Sequence, residues 1–170
     1  MVKKLLTLNQ IEFGNDTVEM ERFDVVALIR SVLENSDILL KQKEIRVQFE
    51  RAEAVEVWAD EYMIEEVVTN YLTNAIHHAE NEKVIDIRVR RDGEHVRVSV
   101  FNTGTPIPQE DIDKVWIKFY KVDKARTREY GGNGIGLSIV KAIMESHNKP
   151  YGVINHSNGV EFWFELDAGI

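Results

Sequence analysis

The sequence contains no cysteine, which excludes disulfides and thiolate-held metals and suits a reducing compartment. No apolar run approaches the roughly 18 residues that a membrane-crossing helix needs. The opening "MVKKLLTLNQ" also lacks the long apolar stretch of a secretory leader. These absences predict a soluble chain, compatible with the cytoplasm, with no membrane insertion of its own. Positive charge is in short supply: Lys+Arg number 21 against 29 Asp+Glu, for a formal net charge of -8. Such a balance repels phosphate backbones at long range, so nucleic acid is not an expected partner. Internal repeats and low-complexity tracts are absent too. What remains is a chain of 170 residues, 44% hydrophobic and 29% charged, enough to bury one sizeable core.

Along the chain, Leu5, Leu6, Leu8 and Ile11 fall at near-helical spacing before "GND" stops the pattern. Val25, Leu28, Ile29, Val32, Leu33, Leu39 and Leu40 then form an apolar helical face, with Asp24 as its N-cap. "IRVQFE" and "VEVWAD" alternate like half-buried strands. "DEYMIEEVVTNYLTNAIHHA" returns to helical period, with Ile64, Val68, Leu72, Ala75 and Ile76 inward. "VIDIRVRR" and "HVRVSVFN", joined at Asp92-Gly93, read as an antiparallel hairpin. A polar connector leads to a helix from about Gly136 to Ser146, and "GVEFWFEL" closes as a strand. The expected fold is α+β: a two-layer sandwich of three helices on one face of a mixed, mostly antiparallel sheet of about five strands.

Three stretches carry candidate chemistry. In "YGGNGIGLSIVKAIMES", glycines stand directly before a helix start, where a backbone free of Cβ atoms and unpaired N–H groups can receive an anion. It is not a P-loop, since Lys141 lies five residues beyond Gly136 and no strand feeds the loop. Nor is it a dinucleotide fingerprint, because Gly132, Gly134 and Gly136 are spaced two and two instead of two and three. In "NYLTNAIHH", Asn70 and Asn74 sit one turn apart, and His77 or His78 extends the row. An amide oxygen suits a hard cation whose shell is completed by phosphate and water. In "VSVFNTGTPIP", Asn102 and Gly104 mark a strand end where an acceptor could meet the edge of a flat base. Taken singly, each stretch has an ordinary reading as well: a flexible turn, a solvated helix face, an Asn-Gly turn.

Taken in series, they resemble the catalytic, ATP-binding domain of bacterial sensor histidine kinases, the Bergerat fold shared with gyrase, the ninety-kilodalton heat-shock chaperone and mismatch-repair ATPases. "NYLTNAIHHA" is similar to the N box, "NTGTPIP" to the first glycine box, "VWIKFYKVD" to the aromatic box and "GGNGIGLSIVK" to the second glycine box. "NGVEFWFEL" resembles the closing segment, so the likeness covers residues from about 20 to 167.

The resemblance implies that Asn74 holds Mg2+ on the phosphates of ATP and that Asn70 contacts the phosphates or the metal shell. Asn102 is implied to meet the adenine amino group, with Gly104 and Ile107 shaping the base pocket. Gly132, Gly134, Ile135, Gly136 and Leu137 are implied to border the phosphates, with His77 and His78 beside them. Lys121 is implied to steady the transferring phosphoryl group, next to Tyr120. Trp116, Phe119 and Tyr120 would fasten a nucleotide lid. The implied reaction is transfer of the γ-phosphoryl group to a histidine on a separate dimerisation domain, then onward to a response regulator. None of His77, His78, His95, His147 or His156 has the context of that acceptor. Residues 1–16 resemble the end of a dimerisation helix and 17–170 the catalytic domain, implying a homodimeric parent and a monomeric fragment unable to phosphorylate itself.

Four positions depart from the family pattern. Asn102 replaces an aspartate, Pro106 a glycine, and His77-His78 a Lys-Tyr pair, while the glycines that customarily follow His147 are missing. Asn70 stands where related ATPases carry a glutamate that activates water, and an amide is no general base. Two rival readings follow from these residues: an ATP-hydrolysing clamp, and a regulatory module that binds partners without nucleotide.

Overall fold

A computed structural model describes residues 17–49, 53–117 and 136–169. Strand β1 (Glu21–Asp24) leads into helix α1 (Val25–Asn35), followed by α2 (Asp37–Gln42), β2 (Arg46–Gln48) and β3 (Glu56–Ala59). Then come α3 (Glu61–His78), the hairpin β4 (Val84–Asp92) and β5 (His95–Thr103), α4 (Gly136–Ser146), β6 (Tyr151–His156) and β7 (Gly159–Ala168). The strands join in the order β1-β3-β7-β5-β4-β2. β7 pairs with β5 along Gly159–Asp167 on one edge. On its other edge it carries β6 at Gly159–Phe164 and β3 at Asp167–Ala168. Only β2 runs parallel to its neighbour, β4.

The α+β sandwich and its mixed, mostly antiparallel sheet are therefore present, with seven strands among the described residues where about five were expected. The two additional strands have physical reasons to be quiet in sequence. β1, "ERFD", is four residues long with one buried side chain. β6, "YGVINH", contains a glycine and no fully buried residue, so it lacks the alternation that marks a half-buried strand. The periodicity of residues 25–40 also divides: α1 ends at Asn35, and Ser36 caps both it and α2. The break turns Leu39 outward to 37% exposure, while Leu40 stays buried.

The core lies between the helices and one sheet face. Val96, Val98 and Val100 of β5, and Val160, Phe162, Phe164 and Leu166 of β7, alternate inward at the strand period of two. Above them α3 lays down Ile64, Val67, Val68, Tyr71, Leu72, Ala75 and Ile76 at helical spacing. The Tyr71 hydroxyl is kept in this apolar layer by donating to the Trp163 carbonyl at 3.0 Å. Helices α1 and α3 begin on aspartate caps: Asp24 Oδ1 accepts from Val26 N at 3.0 Å and Asp60 Oδ1 from Met63 N at 3.1 Å. α4 buries Val140, Ile143 and Met144 completely. At about 1.5–3 kcal/mol each, these three side chains supply much of what holds the helix against α3.

Candidate functional site

The site is assembled where the apolar inner face of β5 runs out. Position 102 is the next inward slot after Val96, Val98 and Val100, and an asparagine fills it at 2% exposure. Its Nδ2 donates to the Thr103 carbonyl at 3.1 Å, which fixes the orientation of the amide. Among the described residues Oδ1 has no hydrogen-bond partner. A buried amide oxygen left bare costs roughly 1–3 kcal/mol, so the position is built to receive a donor.

Thr103, a residue that no sequence pattern marked, stitches this strand end to the α3–β4 connection. Its Oγ1 accepts from Val84 N at 3.0 Å and donates to the Glu80 carbonyl at 2.7 Å. Its carbonyl accepts from Glu80 N at 2.8 Å. Gly104 follows at φ +150, and a Cβ there would sit 2.7 Å from the His78 carbonyl oxygen. Only glycine allows this approach, which brings the end of α3 onto the base of the loop after β5.

On α3, Asn70, Asn74, His77 and His78 are all half-buried, at the flank of the core stripe. Asn70 Nδ2 is turned back to the Glu66 carbonyl at 2.8 Å, one turn earlier. Its Oδ1 lies 2.9 Å from where a Cβ on Gly136 would be. The first residue of α4 thus abuts the first amide of the row, which puts the start of α4 directly beside α3. Asn74 has no hydrogen-bond partner among the described residues, so its oxygen is available to a ligand. Leu137 packs half-buried against the core beside Gly136.

Burial holds the His77 imidazole below its ordinary pKa, and the Lys43 charge pushes the same way. A ring held below its ordinary pKa carries less charge at neutrality than a free imidazole.

Ile107 is held by a residue the sequence did not single out. Asn155 of β6 accepts from Ile107 N at 3.0 Å and donates to the Ile107 carbonyl at 2.7 Å. Trp116 docks edge-on against Tyr151 and Phe162, with ring centroids 4.9 and 5.7 Å away. The first aromatic of its box is therefore anchored to the body of the domain. Phe119, Tyr120, Lys121, Gly132, Gly134 and Ile135 lie outside the described residues. Among the described residues no helix is long and apolar enough to cross a membrane.

Amides on α3, an orphaned acceptor at the end of β5 and a glycine-initiated helix meeting the same row define the class. Residues 59–170 match the family "Histidine kinase-, DNA gyrase B-, and HSP90-like ATPase", and the chain belongs to it. Its curated relatives are sensor histidine kinases. The Sensor protein kinase WalK of Staphylococcus epidermidis is 32% identical over 154 residues, covering 87% of this chain and 24% of the relative. The Sensor-like histidine kinase SenX3 of Mycolicibacterium smegmatis is 26% identical over 148 residues, covering 87% and 38%. The chain thus spans well under half the length of these relatives. The catalytic domain of histidine kinase ThkA superposes with a TM-score of 0.77 at 32% identity, covering 88% of this chain and 97% of that one. Full-length ShkA, solved in complex with AMPPNP, gives a TM-score of 0.82 at 23% identity over 96% of this chain and 34% of its own, a likeness of fold.

Proposed function

We propose that this chain binds Mg-ATP between α3 and the loop after β5 and supplies its γ-phosphoryl group to a histidine on a separate dimerisation domain. From there the group would pass to a response regulator in two-component signalling. The observation that carries the reading is the buried Oδ1 of Asn102, without a hydrogen-bond partner among the described residues: it suits the exocyclic amino group of adenine, at the end of a β-strand whose other inward positions are valines. ThkA has been solved with the response regulator TrrA, and that histidine kinase is 29% identical to this chain. ShkA, of like fold, accepts an ATP analogue.

In this reading Asn74 Oδ1 would hold Mg2+, with Asn70 beside it. The bound ion would neutralise phosphate charge and orient the triphosphate. Gly136 and Leu137 would offer first-turn N–H groups to the phosphates, where absence of a Cβ at 136 keeps the approach open. Lys121, Tyr120, Gly132, Gly134 and Ile135 would border the triphosphate from the lid, and His78 would flank it with His77. Asn70 cannot take a proton from water, and its Nδ2 is engaged by Glu66, which favours phosphotransfer over hydrolysis.

Calorimetric titration with Mg-ATP tests the binding. Incubation with γ-labelled ATP should leave this chain unlabelled and label an added dimerisation domain on histidine. Steady phosphate release without any acceptor would instead identify a hydrolysing clamp, and no heat at millimolar Mg-ATP a module without nucleotide.

A further inference from the structure

Ile107 sits between two prolines, Pro106 and Pro108, neither of which has a backbone N–H. Its own N–H is the only main-chain donor between Thr105 and Gln109, and the residue before a proline is pushed to extended backbone. Main-chain donors are therefore scarce in this segment, and the turn bond nearest to Ile107, from Asp111 N to the Pro108 carbonyl at 2.8 Å, belongs to the turn that follows. The segment is instead fixed from outside, at both polar atoms of one residue, by the Asn155 amide at 3.0 and 2.7 Å. At its root, Gly104 N donates to the Asn158 carbonyl at 3.0 Å. The loop after β5 is thus strapped across β7 to β6 and to the β6–β7 turn.

The register makes the placement specific. Asn155 pairs with Val160, Val160 with Asn102 and Asn102 with Ile85, so the four lie in one transverse row across β6, β7, β5 and β4. Paired residues in such a row project to the same face. Ile85, Asn102 and Val160 are all buried on the helix side. With neighbouring strands about 4.8 Å apart, Asn155 and Asn102 stand about 10 Å apart with Val160 between them. One amide carries the unpartnered acceptor, and the other sets where the Ile107 backbone lies.

We propose that Asn155 is the positioning residue for the nucleotide base: by clamping Ile107 it fixes the wall of a slot whose floor is Val160 and whose reading group is Asn102. The inference rests on the ATP-binding reading and adds to it the residue that sets base selectivity. A clamp on a proline-flanked loop pre-pays the ordering cost of one pocket wall, so its loss weakens contacts to the base and leaves those to the phosphates alone.

The test is calorimetry on the wild-type chain and Asn155→Ala with three probes: Mg-ATP, Mg-GTP and Mg-tripolyphosphate. Asn155→Ala is expected to raise the Kd for Mg-ATP about tenfold and to narrow the ATP-over-GTP preference, with tripolyphosphate within about twofold of wild type. Equal weakening of ATP and tripolyphosphate would mean a merely structural stitch and would overturn the proposal, as would unchanged ATP binding. Should Asn155→Ala fail to fold, Asn155→Thr suits a strand, removes the two-point clamp and is held to the same split. A wild-type chain that binds no Mg-ATP overturns the function and this inference together. Wild-type binding insensitive to position 155 overturns this inference alone.

Discussion

The backbone N–H of Asp60 donates to His147 Nε2 at 3.2 Å, joining the start of α3 to the turn just beyond α4. Since Nε2 accepts, the proton resides on Nδ1, which donates to the Ile143 carbonyl at 2.8 Å. Asp60 also caps α3 and accepts from Glu19 N through Oδ2 at 2.9 Å. One neutral imidazole thereby fastens both helices that carry the candidate site. Protonation of Nε2 would convert its accepting nitrogen into a second donor facing an N–H.

Burial lowers the His147 pKa, outweighing the raising effects of the Ile143 hydrogen bond and Asp60, and Lys149 adds to the lowering. His77 is lowered as well, also by burial first. A histidine whose folded pKa lies below its unfolded value near 6.5 takes up its proton first in the unfolded chain. Stability should therefore be fully present above about pH 6.5 and decline as pH falls toward the folded values, by up to about 1.4 kcal/mol per pH unit for His147 and by less for the half-buried His77, which water screens. Urea unfolding from pH 8 to pH 5 measures the slope. His147→Gln should flatten it, and an unchanged slope would contradict the tether.

Asn74→Ala should abolish the magnesium-dependent part of ATP affinity, a loss of about tenfold or more, or 1.4 kcal/mol. The side chain is half-buried and has no hydrogen-bond partner among the described residues, so the unfolding midpoint should stay within about 0.5 kcal/mol of wild type. Titrations with and without Mg2+ separate the two effects.

Gly104→Ala and Gly136→Ala should fail differently. At 104 the new Cβ meets a backbone oxygen at 2.7 Å with φ at +150, so the cost is conformational and falls on stability, about 2 kcal/mol or more. At 136 it meets the Asn70 side chain at 2.9 Å, which can swing aside. Folding should survive there, while Mg-ATP affinity drops because Asn70 has left its place. Paired denaturation and binding curves for both variants check this contrast.

Tyr71→Phe removes a hydroxyl that donates to the Trp163 carbonyl from a fully buried position, with rings of Phe162 and Phe164 tilted against it. A loss of about 1 kcal/mol is expected, without change in nucleotide affinity, since Tyr71 lies on the core side of α3. Urea unfolding gives the first quantity and calorimetry the second.

The two periodicities were legible because burial enforces them: valines at every second place of β5 and apolar residues at helical spacing on α3 can satisfy only one architecture. Local chemistry was legible as well, in the Asp24 cap and the Asn70–Asn74 row on one helix. The second glycine segment pointed to a helix start because glycine permits close approach and α4 does begin at Gly136. What no window of residues could reveal are bonds between positions far apart in the chain. Thr103 reaches Glu80, Asn155 reaches Ile107 and His147 reaches Asp60, across separations of 23, 48 and 87 residues. The ionisation of His77 belongs to this second group, because desolvation is a property of the packed neighbourhood and not of the side chain. Sequence determined the main elements, their inner faces and the residue types able to meet a nucleotide; tertiary structure decided their register, and with it which buried polar atom has no partner among the described residues.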